Sequence, residues 1–255
     1  MEALRRRVLG RTPVIGTFVK TPSHQTVESL AGAGLDFIAI DAEHAAFGPA
    51  ELDALLFAST ALGLPALVRA PNAAPSFIGA CLDLGAVGML IAHVRDAESA
   101  RAIVAAGKYA GYRSYSPATR GARFWAARGQ GALAGSDAHT SMWCQIEDAE
   151  ALEQVDAIAA VADVDCLFVG PTDLSLSLGV DGPRHPRVIE AVADVARAAR
   201  AAGKAAGIFV ADTGEIGSLL ALGVSVFLCG SDQSLLTAQG RRLRAELDQL
   251  TPSGK

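Results

Sequence analysis

The sequence predicts a (β/α)8 barrel that takes up the whole chain, residues 1–255. Three observations predict it. The length of 255 residues is close to the roughly 250 of that fold. Short apolar runs alternate with longer segments of helical spacing eight times, the pattern of parallel strands joined by crossover helices. Five of the runs lead into a polar residue, at Asp41, Arg69, His93, Glu147 and Asp173. A barrel of parallel strands delivers all its carboxyl ends to one face, where such folds carry their chemistry.

The elements follow in order. The first strand is VIGTFV (14–19), and the helix after it opens at Ser23 and closes at Gly32–Gly34. A serine suits that start because its hydroxyl accepts an orphan backbone N–H. FIAID (37–41) is the second strand, with a helix over 51–62 closed by Gly63. The third pair is 65–69 and a helix from Pro75 to Leu84; the fourth is 88–94 and a helix over 96–106. Residues 107–140 break the rhythm with Gly, Arg and aromatic residues in no stable period. A loop that long inside a compact domain is usually functional or interfacial. The pattern resumes with 141–147 and a helix over 149–161, then strands 166–170, 206–210 and 224–229 with helices near 187–202, 214–222 and 232–249. Residues 251–255 read as a frayed tail. A doubly wound open sheet is the competitor, but it usually has fewer strands, and no G-x-G-x-x-G follows the first one.

Composition narrows the function. A net charge of −5 leaves no clustered cationic footprint for nucleic acid. The one basic cluster, Arg5, Arg6 and Arg7, reads as the solvated face of a first amphipathic helix. Cys81, Cys144, Cys166 and Cys229 are scattered through apolar segments with no C-x-x-C pair, as buried reduced thiols are. No run suits a membrane span and no N-terminal stretch looks like a signal peptide, so the expected compartment is the cytoplasm.

Several residues can carry chemistry. Glu147 and Asp173 end neighbouring strands, and two carboxylates with room for water and substrate suit a hard divalent cation; the plainer role for Asp173 is to cap a short turn. His44 follows Asp41 and Glu43, either of which can hold its imidazole in one tautomer; it can equally be a surface residue. Arg69 ends an apolar strand and needs an anion, either a substrate carboxylate or enolate, or an internal salt bridge to Asp41 or Glu43. Lys20 suggests a Schiff-base lysine only weakly. His93 reads as a core histidine or one that supports a ligand, and Asp212 and Asp232 as helix caps.

In order along the chain, AGLDFIAIDAEH (33–44), VRAP (68–71), LDLGAVGM (82–89), QIE (145–147) and FVGPTDLSLSLG (168–179) resemble the metal-dependent pyruvate aldolases of the HpcH/HpaI type. That resemblance implies Glu147 and Asp173 as ligands of a divalent metal (Mg²⁺, Mn²⁺ or Co²⁺). It implies His44 as the acid/base, with Asp83 and Asp41 raising its basicity, Glu43 beside it, and Arg69 as the enolate stabiliser. Gln145 and the backbone at Thr172–Asp173 would hold pyruvate, with Gly170 letting the chain approach it. Asp83's role rests on the resemblance alone. The chain departs from the family pattern at Ala92–His93, where Pro is usual, and in the loop 108–122. The implied activity is aldol cleavage or formation of 4-hydroxy-2-oxo acids through a pyruvate enolate, with oxaloacetate decarboxylation on the side. The alternatives are a citryl- or malyl-CoA-type lyase or citrate-forming enzyme, which needs a basic groove such as 5–7 or 113–128, and a non-catalytic binding barrel. The apolar stripe of the last helix can pack on another subunit or within its own barrel; the resemblance implies a homo-oligomer, a hexamer arranged as a trimer of dimers. Small molecules are the expected partners, not nucleic acid or membrane.

Overall fold

The computed structural model describes residues 4–126 and 129–251. The tail beyond Thr251, and Ala127 and Arg128 of the Arg-rich loop, lie outside them. Eight strands close a barrel in sequence order, every pair parallel: β1 (Val14–Val19), β2 (Phe37–Asp41), β3 (Ala66–Ala70), β4 (Gly88–Ile91), β5 (Ser141–Ile146), β6 (Cys166–Val169), β7 (Ala205–Val210) and β8 (Val226–Ser231). The helices are α1 (Leu4–Leu9), α2 (His24–Ala31), α3 (Pro49–Leu62), α4 (Pro75–Asp83), α5 (Ala97–Gly107), α6 (Gly129–His139), α7 (Ala149–Glu153), α8 (Val155–Ala159), α9 (Pro171–Ser177), α10 (Pro186–Ala201), α11 (Ile216–Leu222) and α12 (Asp232–Leu250). Among the described residues, no helix is long and apolar enough to cross a membrane.

Two cores follow from the two-residue alternation of each strand. One parity points inward: Phe37 and Ala39 of β2, Leu67 of β3, Trp143 of β5, Cys166 and Phe168 of β6. Phe37 meets Trp143 edge-on at 5.5 Å, and Trp143 stacks on Phe168 at 6.2 Å. The other parity, such as Ile38, Ile40, Val68 and Leu167, packs under the helices. α1 closes the amino-terminal mouth through Leu4 and Val8. Arg6 is exposed, as expected of a solvated face, but Arg5 and Arg7 are not. Arg5 donates through Nε to both oxygens of Asp165 at 3.0 Å and pairs with Asp163 at 3.0 Å, and Arg7 pairs with Asp36 at 2.7 Å.

Four other expectations need correction. The loop 107–140 contains α6, whose Gly-rich sequence hides its helical spacing. The helix expected over 149–161 breaks at Gln154 into α7 and α8. The strand expected over 88–94 stops at Ile91, because His93 takes a left-handed φ of 54°. Asp232 does not cap α12. Ser231 does, while Asp232 receives the backbone N–H groups of Lys20 and Thr21 at 3.0 Å each and ties α12 to the end of β1.

α10 and α12 contrast sharply. α10 buries Val188, Ala191, Val192, Val195, Ala196, Ala198 and Ala199 on one stripe against β6 and β7. In α12 only Asp232 is buried, and Leu236 and Leu243 stand 75% and 58% exposed.

Candidate active site at the carboxyl ends of the strands

The inward parity that builds the barrel core also aims the polar residues. Asp41 continues the inward series Phe37 and Ala39, and Arg69 continues Leu67. Gln145 and Glu147 continue Trp143, and Gly170 continues Cys166 and Phe168. Register places Asp41 directly beside Arg69.

Asp41 is fully buried and is the hub of this layer. It accepts from Arg69 Nε at 2.9 Å and Nη2 at 2.7 Å, and it pairs with Lys20 Nζ at 3.1 Å. It also accepts the backbone N–H of Glu43 at 3.3 Å and of His44 at 3.1 Å. Burial alone would push this carboxyl up, but the hydrogen bonds and charge of Arg69 outweigh it and hold the pKa below the usual range. Arg69 therefore has the internal salt bridge that was one of its two readings, with the Phe18 ring 4.3 Å from its guanidinium. Its Nη1 extends towards Glu43 Oε2, 3.2 Å away.

Glu147 is buried at the end of β5. Its Oε1 receives the His93 backbone N–H at 2.9 Å, and its Oε2 the Gln145 amide. Burial nevertheless keeps its pKa above the usual carboxylate range. The carboxylate lies over Gly170, where a Cβ would fall 2.5 Å from Glu147 Oε2 and 3.0 Å from the Gln145 amide nitrogen. The glycine thus makes room for the two side chains as well as for a ligand.

A cavity of about 350 Å³ opens here, lined by His44, Arg69, Gln145, Gly170, Thr172 and Asp173, with Lys20, Ser231 and Ser234 across from them. Asp173 sits in the first turn of α9, which Gly170 caps, so it is not itself the cap. His44 is half-exposed, and its nearest carboxylate is Glu43, 3.8 Å from Nε2.

Within one chain, two of the expected residues stand apart from the His44 imidazole. Asp41 spends its oxygens on Arg69, Lys20 and backbone amides, so it orients Arg69 and leaves the His44 imidazole to Glu43. Asp83 ends α4, which runs back from the pocket, and it receives Arg113 Nη2 at 2.8 Å at the opposite end of the barrel. Within one chain it does not reach His44.

The group with metal-binding geometry also differs in part from the expected pair. Glu43, His93 and Glu147 place one ligand atom each within 4.8 Å of the others; Asp173 is not in that group. Of the two readings of His93, the core one does not hold: its imidazole is 46% exposed, 3.5 Å from Glu147 Oε1 and 3.8 Å from Glu43 Oε1, after a positive φ at the exit from β4. A larger cavity of about 700 Å³ lies at the amino-terminal end. Arg7, Arg113 and Arg120 line it, but Asp36, Asp83 and Asp53 pair with them, and barrel chemistry belongs to the other face.

The sequence pattern of the HpcH/HpaI aldolase/citrate lyase family matches residues 14–238. The chain belongs to this family. A 2-dehydro-3,6-dideoxy-6-sulfogluconate aldolase of Pseudomonas putida is 33% identical over 91% of this chain and 92% of its own length. A hydroxypyruvate/pyruvate aldolase of Deinococcus radiodurans is 37% identical over 96% of this chain and 89% of its own. The crystal structure of an HpcH/HpaI aldolase from Desulfitobacterium hafniense superposes with a TM-score of 0.89 at 29% identity, covering 99% of each chain. For an HpcH/HpaI protein the match is nearly end to end, so every site residue named above falls within it.

Proposed function

We propose that the chain is a divalent-metal-dependent aldolase that cleaves or forms 4-hydroxy-2-oxo acids, giving pyruvate and an aldehyde. The observation that carries this reading is the carboxyl layer around an oriented guanidinium: Asp41 and Glu43 pair with Arg69, Glu147 binds the Gln145 amide, and Asp173 shares a small cavity with Arg69 and Gln145. Glu43 Oε2 and Gln145 Oε1 are buried without a hydrogen bond, although Arg69 lies within ion-pair range of the former. Among the described residues, Asp41, Glu43, Glu147 and Asp173 meet only Lys20 and Arg69 as permanent cations, so the surplus negative charge suits a dication. Glu147 and Asp173 are the proposed ligands, with Glu43 flanking them. A cation there would act as a Lewis acid towards the carboxylate and keto oxygens of a 2-oxo acid.

The residues divide the remaining work. As the C3–C4 bond breaks, negative charge collects on the C2 oxygen, and the Nη1 side of Arg69 stabilises it. Asp41 and Phe18 fix the guanidinium plane before the reaction, so no reorganisation is needed at that moment. His44 takes the proton of the C4 hydroxyl, and Glu43 steadies its imidazole. Gln145 and the free N–H groups of the first turn of α9, at Thr172 and Asp173, orient the pyruvate end. Oxaloacetate decarboxylation needs the same enolate. A CoA-ester lyase is disfavoured, because Arg5 and Arg7 are tied to Asp165 and Asp36 and offer phosphates no free groove.

The uncovered leucines of α12 support a homo-oligomer, proposed as a hexamer of three dimers. The reading is tested by incubating pyruvate with a panel of aldehydes under Mg²⁺, Mn²⁺, Co²⁺ or chelator. Adduct formation that stops with chelator and returns with metal is expected; full activity in excess chelator ends the metal reading.

A further inference from the structure

His93 sits where a metal ligand would, in a chain whose other proposed ligands are all carboxylates. Its Nδ1 lies 3.1 Å from Asp148 Oδ2, and Arg95 holds the other oxygen of Asp148 at 3.1 Å. When Asp148 holds the Nδ1 proton of a neutral imidazole, the ring's lone pair is on Nε2, which lies 3.8 Å from Glu43 Oε1. Two donors each about 2.1 Å from one ion can be at most about 4.2 Å apart, and the observed gap lies inside that limit. A histidine ligand that passes its other N–H to a carboxylate is the usual way of fixing a metal-binding imidazole. The second oxygen of Glu43 is buried without a hydrogen bond, 3.2 Å from Arg69 Nη1. The Glu147 carboxylate completes the group, and the His93 backbone N–H anchors it.

We propose that His93 Nε2 is a nitrogen ligand of the cation held by Glu147, on the Glu43 side, and that it turns the site towards borderline transition metals such as Co²⁺ and away from Mg²⁺. The inference rests on the metal-dependent reading above. Its basis is ligand chemistry: imidazole suits the later first-row ions, whereas Mg²⁺ prefers an all-oxygen octahedron with retained water.

The test is calorimetric titration of the metal-free full-length protein with Co²⁺ and with Mg²⁺, together with the visible spectrum of the Co²⁺ form, for wild type, His93→Ala and His93→Gln. Melting curves check that both variants fold. Expected is a wild type that binds Co²⁺ well ahead of Mg²⁺. The variants should lose roughly 10–100-fold in Co²⁺ affinity, the range seen even for partners outside the coordination sphere. They should keep Mg²⁺ affinity within a few-fold, and their Co²⁺ bands should move to longer wavelength as nitrogen gives way to oxygen. Unchanged Co²⁺ affinity and bands in both variants would overturn the inference, as would an equal gain for both metals, the signature of a histidine acting only through its charge. A wild type that binds neither metal defeats the metal-dependent reading itself, and the inference with it.

Discussion

Replacing Asp41 by Asn removes one charge and almost no volume from the hub of the site. The cost follows from what is left behind. Arg69 loses a bidentate partner while its side chain stays 8% exposed, and truncating one member of such a buried pair costs about 3–5 kcal/mol. Two features place Asp41→Asn near the lower end, about 3 kcal/mol. Glu43 remains 3.2 Å from the guanidinium, and an Asn oxygen still accepts the amides of Glu43 and His44. Asp41→Ala also strands those two amides, each worth about 0.5–1.5 kcal/mol, and should reach about 4–6 kcal/mol. Urea unfolding followed by circular dichroism at pH 7 reads both as shifts in midpoint at constant slope. The pH dependence has a definite sign. The native pKa of Asp41 is depressed, so its contribution is complete above the unfolded value near 3.9 and disappears as pH falls through the lower native value. The gap between wild type and Asp41→Asn must therefore close in acid. A variant within about 0.5 kcal/mol of wild type at pH 7, as for an inconsequential surface change, refutes the reasoning. So does a gap that persists below the native pKa.

Three further predictions concern the pocket and the helix beside it. Arg69→Ala should lower turnover roughly 10²–10³-fold, the usual cost of an oxyanion donor, while calorimetric metal affinity changes only a few-fold; wild-type rates would dismiss the enolate assignment. Gly170→Ala puts a methyl group 2.5 Å from Glu147 Oε2, so metal affinity should fall about tenfold or more with the fold retained; unchanged affinity would show that Glu147 is no ligand. Leu236→Glu with Leu243→Glu should give a smaller species in light scattering, since burying each leucine is worth about 1.5–3 kcal/mol; an unchanged mass would place the subunit interface elsewhere.

The barrel was legible because its strands are uniformly apolar and buried on both sides, so their hydrophobic runs stand out whatever the helices do. Asp41, Arg69, Gln145 and Gly170 were legible for the same reason: each follows an apolar run at the parity that faces inward. What the sequence hid was set by geometry that no run records. His93 lies only two residues past β4, and a left-handed backbone turn, uncommon outside glycine, redirects it to Glu43 and Glu147. Asp41 stands near His44 in sequence, yet the strand register gives its carboxylate to Arg69. Asp83 resembles its neighbours in the motif but is carried to the far face because α4 runs antiparallel to β3.

α12 begins with Ser231 and Ser234 on the cavity wall, clamped through Asp232 to the strand that carries Lys20. From Leu236 to Leu243, two turns along, the same rigid rod offers bare leucines to the solvent. A subunit settled on those leucines, as the proposed oligomer requires, would lean on the wall of the chamber at Ser231 and Ser234. Dilution that separates such subunits should then slow each molecule's catalysis even with every reacting group in place.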